Sequence, residues 1–254
     1  MKFIQFSDIH FGAEDPAAIE AATDFAQTEN ADATIICGDL TQRGKQSEFL
    51  AARDWLDTLP GPKLTVAGNH DTPLLHLWHR ARKPFFRYAS YFEAFEGPLM
   101  VKGVRFCGLN TSRGWQFRRN WAEGAVRLRD LDEILDGKTD DAATVIACHH
   151  PFLSPPGSPL NTRTRRGRRA SKRLMSSGVQ LLLTGHVHTP SVTFREGEHG
   201  SGYLSVSAGT LSRRLRQAPP SFNVIELDDD TISINIHSFR NGQYRLDGRS
   251  VWPR

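Results

Sequence analysis

Apolar residues in this chain gather into runs of four to seven, rich in β-branched and aromatic side chains and too short for helices. They read KFIQFS, ATIIC, KLTVA, VRFCGLN, TVIAC, LLLT, YLSVS, NVIEL and ISINIHS. Between the first three runs the apolar spacing turns helical. One helix starts at Asp15-Pro16, a capping carboxylate followed by proline, and runs to about Thr28. Ser47 is the expected cap of a second, whose apolar face carries Phe49, Leu50, Trp55, Leu56 and Leu59. Further helices are expected over 123–135 and 170–176. Alternation of strand and helix predicts parallel pairing, whereas the closing runs YLSVS, NVIEL and ISINIHS lack helices between them and predict antiparallel pairing. The longest irregular stretch is 154–169, and loops of that length are commonly functional. With no repeat and no linker, the pattern predicts a single α/β domain over 1–254.

Composition narrows the class. The 254 residues are 39% hydrophobic and 24% charged, ordinary for a globular core. No apolar run reaches the ~18–20 residues of a membrane span, and MKFIQFSDIH leads directly into a strand with no signal-peptide pattern. Cys37, Cys107 and Cys148 each sit inside an apolar run, which predicts buried thiols and a cytoplasmic protein. The net charge is only +4, but it is unevenly spread. Between residues 142 and 195 there is no Asp or Glu, while Arg163, Arg165, Arg166, Arg168, Arg169, Lys172, Arg173 and Arg195 are basic. Such a rim, concentrated over 161–173, attracts anions.

The chemistry sits where the apolar runs stop. KFIQFS is followed by Asp8-Ile9-His10, ATIIC by Gly38-Asp39, and KLTVA by Gly68-Asn69-His70-Asp71. TVIAC is followed by His149-His150 and LLLT by Gly185-His186-Val187-His188. Each motif alone is also what a surface turn contains. Ligands of α/β sheets bind beyond the carboxyl ends of the strands, so five strands delivering Asp, Asn and His to one edge form a constellation. Oxygen and imidazole donors without cysteine suit Mn²⁺, Fe or Zn²⁺ and speak against a closed structural zinc site.

The ordered set D-x-H, G-D, G-N-H-D, H-H-P and G-H-x-H resembles the calcineurin-like metallophosphoesterases, from Asp8 to beyond His188. The resemblance implies a four-layer αββα sandwich of two mixed β-sheets flanked by helices. It implies two metal ions, Mn²⁺, Fe²⁺/Fe³⁺ or Zn²⁺. Asp8, His10 and His188 would hold one, Asn69, His149 and His186 the other, and Asp39 would bridge them. Water activated between the two would attack phosphorus in line. His70 would stabilise the phosphoryl oxygens and protonate the leaving alkoxide. His150 would orient its neighbours, and Asp71 would fix the turn.

Some positions depart from related proteins. The serine/threonine protein phosphatases read G-D-Y-V-D-R-G where this chain reads GDLTQRG, so Gln42 replaces the aspartate that pairs with the catalytic histidine there. Arg43 matches a phosphate-binding arginine, and SAGTLSRRLRQAPPSFNVIEL resembles the closing segment of bacterial phosphodiesterase-like members. That segment would bring Gly209 and Thr210 near the metals and Arg213 and Arg214 to an anionic substrate. The motif set is most similar to small class III cyclic-nucleotide and glycerophosphodiester phosphodiesterases, so the expected substrate is a phosphodiester or another polyanion. A phosphomonoester, a nucleic acid and a lipid pyrophosphate are the alternatives within the family, and a metal-binding protein-interaction scaffold is the alternative outside catalysis. The arginines of the 154–173 loop have no aromatic residues among them to stack bases, which weighs against a nuclease.

Overall fold

The structure, a computed structural model, describes residues 1–73, 77–115, 122–139, 141–158, 160 and 162–254. Pro159 and Asn161 of the expected 154–169 loop therefore lie outside the described residues. In chain order the elements are β1 (Lys2–Phe6), α1 (Pro16–Thr28), β2 (Ala33–Ile36), α2 (Gln46–Thr58), β3 (Lys63–Thr65), α3 (Leu77–Arg82), α4 (Phe86–Phe92), β4 (Leu99–Val101) and β5 (Val104–Gly108). There follow α5 (Leu128–Asp136), β6 (Ala143–Ala147), α6 (Gly167–Met175), β7 (Leu181–Thr184), β8 (Ser191–Glu196), β9 (Gly202–Ser207), β10 (Ser221–Leu227), β11 (Thr231–Arg240) and β12 (Gln243–Pro253).

Two mixed six-stranded sheets result, in the orders β12-β11-β10-β1-β2-β3 and β4-β5-β6-β7-β9-β8. Strand periodicity sorts the side chains between two faces. Phe3, Ile35, Leu64 and Ile225 of the first sheet meet Phe106, Val145, Leu183 and Val206 of the second in a core between the sheets. The alternate residues Ile4, Phe6 and Ile36 point outward under α1, α2 and α4, packing on Ala22, Phe49, Trp55 and Phe92. On the other side, Ile146 and Leu182 are covered by Leu131 of α5 and Leu174 of α6. The order of layers is thus helix, sheet, sheet, helix, as the resemblance implied.

Asp15 caps α1 as expected, its carboxylate accepting from the backbone of Ala17 and Ala18. Other boundaries moved. The second helix begins before Ser47, because Glu48 turns back to accept the backbone N–H groups of Arg43 and Lys45 and Lys45 takes the cap position. The helix expected from residue 123 starts only at Leu128, since Ala125 and Val126 donate instead to Thr111 and Arg165. The run YLSVS, expected to be antiparallel, lies parallel to β7 as β9, and β8 supplies the antiparallel neighbour. The turn at 185–190 leads β8 out to the sheet edge and leaves the place beside β7 for β9. The arginine segment becomes helical earlier than expected, at Gly167. No helix among the described residues is long and apolar enough to cross a membrane.

Candidate functional site

The carboxyl ends of β1, β2, β3, β6 and β7 lie at one edge of the sandwich, and their loops carry the predicted residues together. Asp8 N–H donates to Gly38 and His10 N–H to Asp39, which ties the first loop to the second. The third loop is held by Asp71, whose buried carboxylate accepts from the backbone of Leu40, Thr41 and Gly68 and from the Thr41 hydroxyl. Asp71 thus ties the loop after β2 to the loop after β3. A Cβ would strike Gly68 and His149 from Gly38, Asp39 from Gly68, and Ser7 and Asp8 from Gly185, so these approaches admit glycine alone.

Asp8, His10, Asp39, His186 and His188 all have left-handed backbones, with φ between 52° and 69°. L-residues adopt that region at a cost of roughly 1 kcal/mol or more each, and such outliers gather at functional sites. The surrounding bonds hold them there: Thr210 donates to the Asp8 carbonyl, and the Asp8 Oδ2 accepts from Ser7 and from the His186 N–H.

The side chains converge from there. Nε2 of His188 is 3.1 Å from Oδ1 of Asp8 and 3.3 Å from Nε2 of His10. Oδ2 of Asp39 stands 3.7 Å from Nε2 of His10 and 3.3 Å from Nε2 of His149. Oδ1 of Asn69 is 3.2 Å from the same His149 nitrogen. One oxygen of Asp39 therefore faces a nitrogen from each half of the cluster, while its other oxygen accepts the His70 N–H. The ligand atoms of Asp8, His10 and His188 lie within 4.8 Å of one another, as do those of Asp8, Asp39 and His149 and those of His149, His150 and His186.

Proton placement decides what this cluster can hold. Nδ1 of His188 bonds the Arg214 carbonyl at 2.7 Å, and Nδ1 of His149 bonds the Cys37 carbonyl at 2.8 Å. A carbonyl only accepts, so each Nδ1 carries its hydrogen and each ring turns Nε2 inward, free to hold either a proton or a metal ion. Those nitrogens face carboxylate oxygens, and a positive charge between them, a proton or a metal ion, offsets the repulsion. Oδ1 of Asp8 is buried and makes no hydrogen bond, although a nitrogen stands beside it. Such an orphaned oxygen fits a cation ligand.

The buried carboxylates and imidazoles set one another's charge. Burial raises both carboxylates, but the imidazoles of His188 and His149 hold Asp8 well below the usual range, and those of His149 and His70 do the same for Asp39. Burial pushes His10 and His186 down to about 3 each, so both rings are neutral. Burial also lowers His149, yet the carboxylate of Asp39 overcomes it and raises His149 to about 9. That rise measures the negative charge which a bound cation would offset.

His150 stands apart from this set. Its Nδ1 pairs with the Thr111 hydroxyl at 3.0 Å and its Nε2 with the Ala122 carbonyl at 2.9 Å, which leaves no ring nitrogen for a cation. Its ring packs 4.5 Å from that of His186 and 4.7 Å from that of His149. His70 is oriented by the carbonyl of Gln42, 2.7 Å from Nδ1, in place of the missing aspartate. Its Nε2 accepts from the Arg214 guanidinium at 2.9 Å. Arg214 thus touches both rings, His188 through its carbonyl and His70 through its side chain. Arg43 and Arg213 are exposed, and the contacts that hold them are through the backbone, to Glu48 and to Ala13. Ser7, Thr111 and the carbonyls of Cys37 and Gln42 were not foreseen. Ser7 adjoins the D-x-H motif and was open to suspicion, whereas a carbonyl leaves no trace in a sequence.

The chain is 24% identical over 242 residues to a probable cyclic nucleotide phosphodiesterase of Synechococcus sp., covering 91% of this chain and 89% of that relative. A dimetal phosphatase from Danio rerio superposes with a TM-score of 0.70 at 12% identity, over 99% of this chain and 98% of its own. A purple acid phosphatase from yellow lupin seeds gives 0.71 at 13% identity, and there the chain spans about half of the larger protein, 53%. At such identities the two structures speak for the fold alone. Residues 1–190 match the calcineurin-like phosphoesterases, and the chain accordingly belongs to that family of phosphoric ester hydrolases.

Proposed function

We propose that this protein is a two-metal phosphodiesterase. The observation that carries the reading is Asp39, whose single Oδ2 faces His10 on one side and His149 on the other while the unbonded Oδ1 of Asp8 waits beside His188. Asp8, His10 and His188 would hold one cation, Asn69, His149 and His186 the second, with Asp39 shared. Mn²⁺, Fe or Zn²⁺ each suit these donors. When bound, such a pair polarises a phosphoryl oxygen and makes water nucleophilic at neutral pH.

The rest is done by the chain. Nδ1–H of His70, anchored on Gln42, keeps the ring aimed inward, and Arg214 occupies the Nε2 lone pair. An incoming phosphoryl oxygen draws the guanidinium toward itself, which frees Nε2. The freed Nε2 takes up a proton from solvent; water oxygen then bonds phosphorus and releases its own proton to solvent, the ester P–O bond breaks, and Nε2 of His70 passes its proton to the departing alkoxide. Arg214 steadies the phosphoryl charge through this step, with Arg213 and Arg43 at the rim. A diester suits one guanidinium and one imidazole better than a dianionic monoester does, and the Synechococcus relative is named for diester chemistry. The three cysteines are free and buried, in keeping with a cytoplasmic setting.

The test is turnover of an aryl diester, an aryl monoester and cyclic AMP by the metal-loaded protein. Asp39→Ala should abolish turnover and strip metal, whereas His70→Ala should abolish turnover and keep the metal. Near-normal turnover by His70→Ala of a diester with a poor leaving group would remove His70 as the acid. Inactivity on all three substrates with metal bound would favour the scaffold reading.

A further inference from the structure

Beside the metal centre the fold assembles a basic, aromatic surface from segments far apart in the sequence. Residues 111–113, 124–127 and 164–166 lie against one another: Ala125 N–H donates to Thr111, Arg165 N–H to Gly124, and Val126 N–H to Arg165 at 3.0 Å. This patch rests on His150, whose two ring nitrogens bond Thr111 and Ala122. It is therefore continuous with the cluster of His149, His150 and His186.

A cavity of about 550 Å³ opens on one side of the patch, lined by Arg82, Lys83, Phe86, Arg113, Trp115 and Arg127. Phe86 is 63% and Trp115 44% exposed, unusual for rings of this size on a surface. Next to them Trp78 is exposed, with the Arg82 guanidinium 4.1 Å over its ring. A second cavity, of about 700 Å³, opens on the other side, lined by Arg163, Arg166, Arg168 and Arg169. Arg113 of the first cavity lies near enough to Arg166 of the second to feel its charge. Burial and the charges of Arg127, Arg166 and Arg165 around it push its guanidinium below the ordinary range, against the single opposing charge of Asp130. Arg127 has that aspartate 3.8 Å away, and the segment from 142 to 195 contributes no acid of its own.

We propose that this surface binds single-stranded nucleic acid and leads it to the metal centre. A track of guanidiniums follows a phosphate backbone, and exposed rings stack bases whatever their sequence. Each cavity alone has the volume of a whole small-ligand site, so the pair fits a run of nucleotides rather than one. A duplex keeps its bases stacked inside and offers nothing to Phe86 or Trp115. The stacking rings missing from the 154–173 loop come from residues 78–86 and 115, which only folding brings alongside. The inference rests on the phosphodiesterase reading insofar as the strand's own diester is what would be cleaved.

The experiment is fluorescence anisotropy with a labelled oligothymidylate of about a dozen nucleotides, its linkages phosphorothioate to resist cleavage, on the metal-loaded full chain. Trp115→Ala and Phe86→Ala should each weaken binding about tenfold. Arg127→Gln, at an exposed side chain, should take about 0.7 from the slope of log affinity against log salt, and the further change Arg113→Gln about as much again. Turnover of the small aryl diester should stay at the wild-type level in all four, since none of them belongs to the metal cluster. The proposal falls if the oligonucleotide does not bind or its binding ignores all four substitutions. It falls equally if these changes depress cyclic AMP turnover alone, which would make the cavity a mononucleotide site. A wild-type protein that binds the oligonucleotide through these residues but hydrolyses no aryl diester would refute the phosphodiesterase reading and leave the surface standing.

Discussion

Gly38 separates two effects that glycine substitutions usually confound. Its backbone is left-handed, with φ +84°, and an added Cβ would lie 2.8 Å from both the Gly68 amide nitrogen and Nδ1 of His149. Gly103, in the turn between β4 and β5, has φ +75° and nothing within 4 Å. Both alanine variants therefore bear the left-handed penalty of roughly 1 kcal/mol, and only Gly38→Ala also drives neighbours aside. Ordinary contact begins at 3.4 Å, so His149 and the Gly68 backbone must together yield by ~0.6 Å. Overpacking of that kind costs roughly 1–3 kcal/mol more. At about 2–4 °C per kcal/mol for a chain of this size, Gly103→Ala should lower Tm by ~2–4 °C and Gly38→Ala by ~5–15 °C. The larger difference is functional. His149 would be tilted off the Cys37 carbonyl that fixes its tautomer, and loss of such an orienting bond costs about 10–100-fold in metal affinity. Calorimetric unfolding, metal titration by equilibrium dialysis and aryl-diester turnover read the three quantities. Equal metal affinity and turnover in the two variants would refute the view that close packing at Gly38 positions His149.

Arg214→Gln should lower diester turnover about 10–100-fold while leaving metal content intact, because the carbonyl that orients His188 belongs to the backbone; metal analysis beside kcat decides it. Phe222→Ala should cost about 3–5 kcal/mol in urea unfolding, since the ring is fully buried against Phe6 and Phe25 at 5.0 Å each. His237 stacks on Phe222, and burial holds its imidazole below the ordinary pKa of 6.5. Above 6.5 neither the folded nor the unfolded chain protonates it. As pH falls through that value the unfolded chain binds the proton first, so stability is lost toward acid. His237→Phe keeps the stack and should show a smaller drop in Tm between pH 7.5 and 5 than the wild type; an equal drop would absolve His237.

The motifs were legible because cation chemistry needs a few residue types, and strand ends are where α/β folds present them. Asp8, His10, Asp39, Asn69, His149 and His188 stand together at the ends of five separate strands, with the ring of His186 5.1 Å from that of His149. The core strands were equally plain, as their faces alternate between two apolar layers. The edges were not. QYRLDGRSVWP of β12 is too polar to read as a strand and becomes one only because β11 offers its free side. Gln5 and Asn223 look misplaced in apolar runs until the sheets meet. There Gln5 donates to the carbonyls of Thr184 and Val206 and accepts from Asn223, which stitches one sheet to the other.

The sequence by itself determined which donors are present and that they lie at strand ends, since periodicity and donor chemistry are local properties. Only the tertiary structure decided which atoms face inward. Left-handed φ at five ligand candidates and carbonyls of Cys37, Gln42 and Arg214 that fix each ring's tautomer depend on segments as far as 202 residues apart meeting at one edge. The joining of arginines to distant aromatic rings likewise follows from loops packing side by side, because long-range contacts leave no periodic signal in the chain.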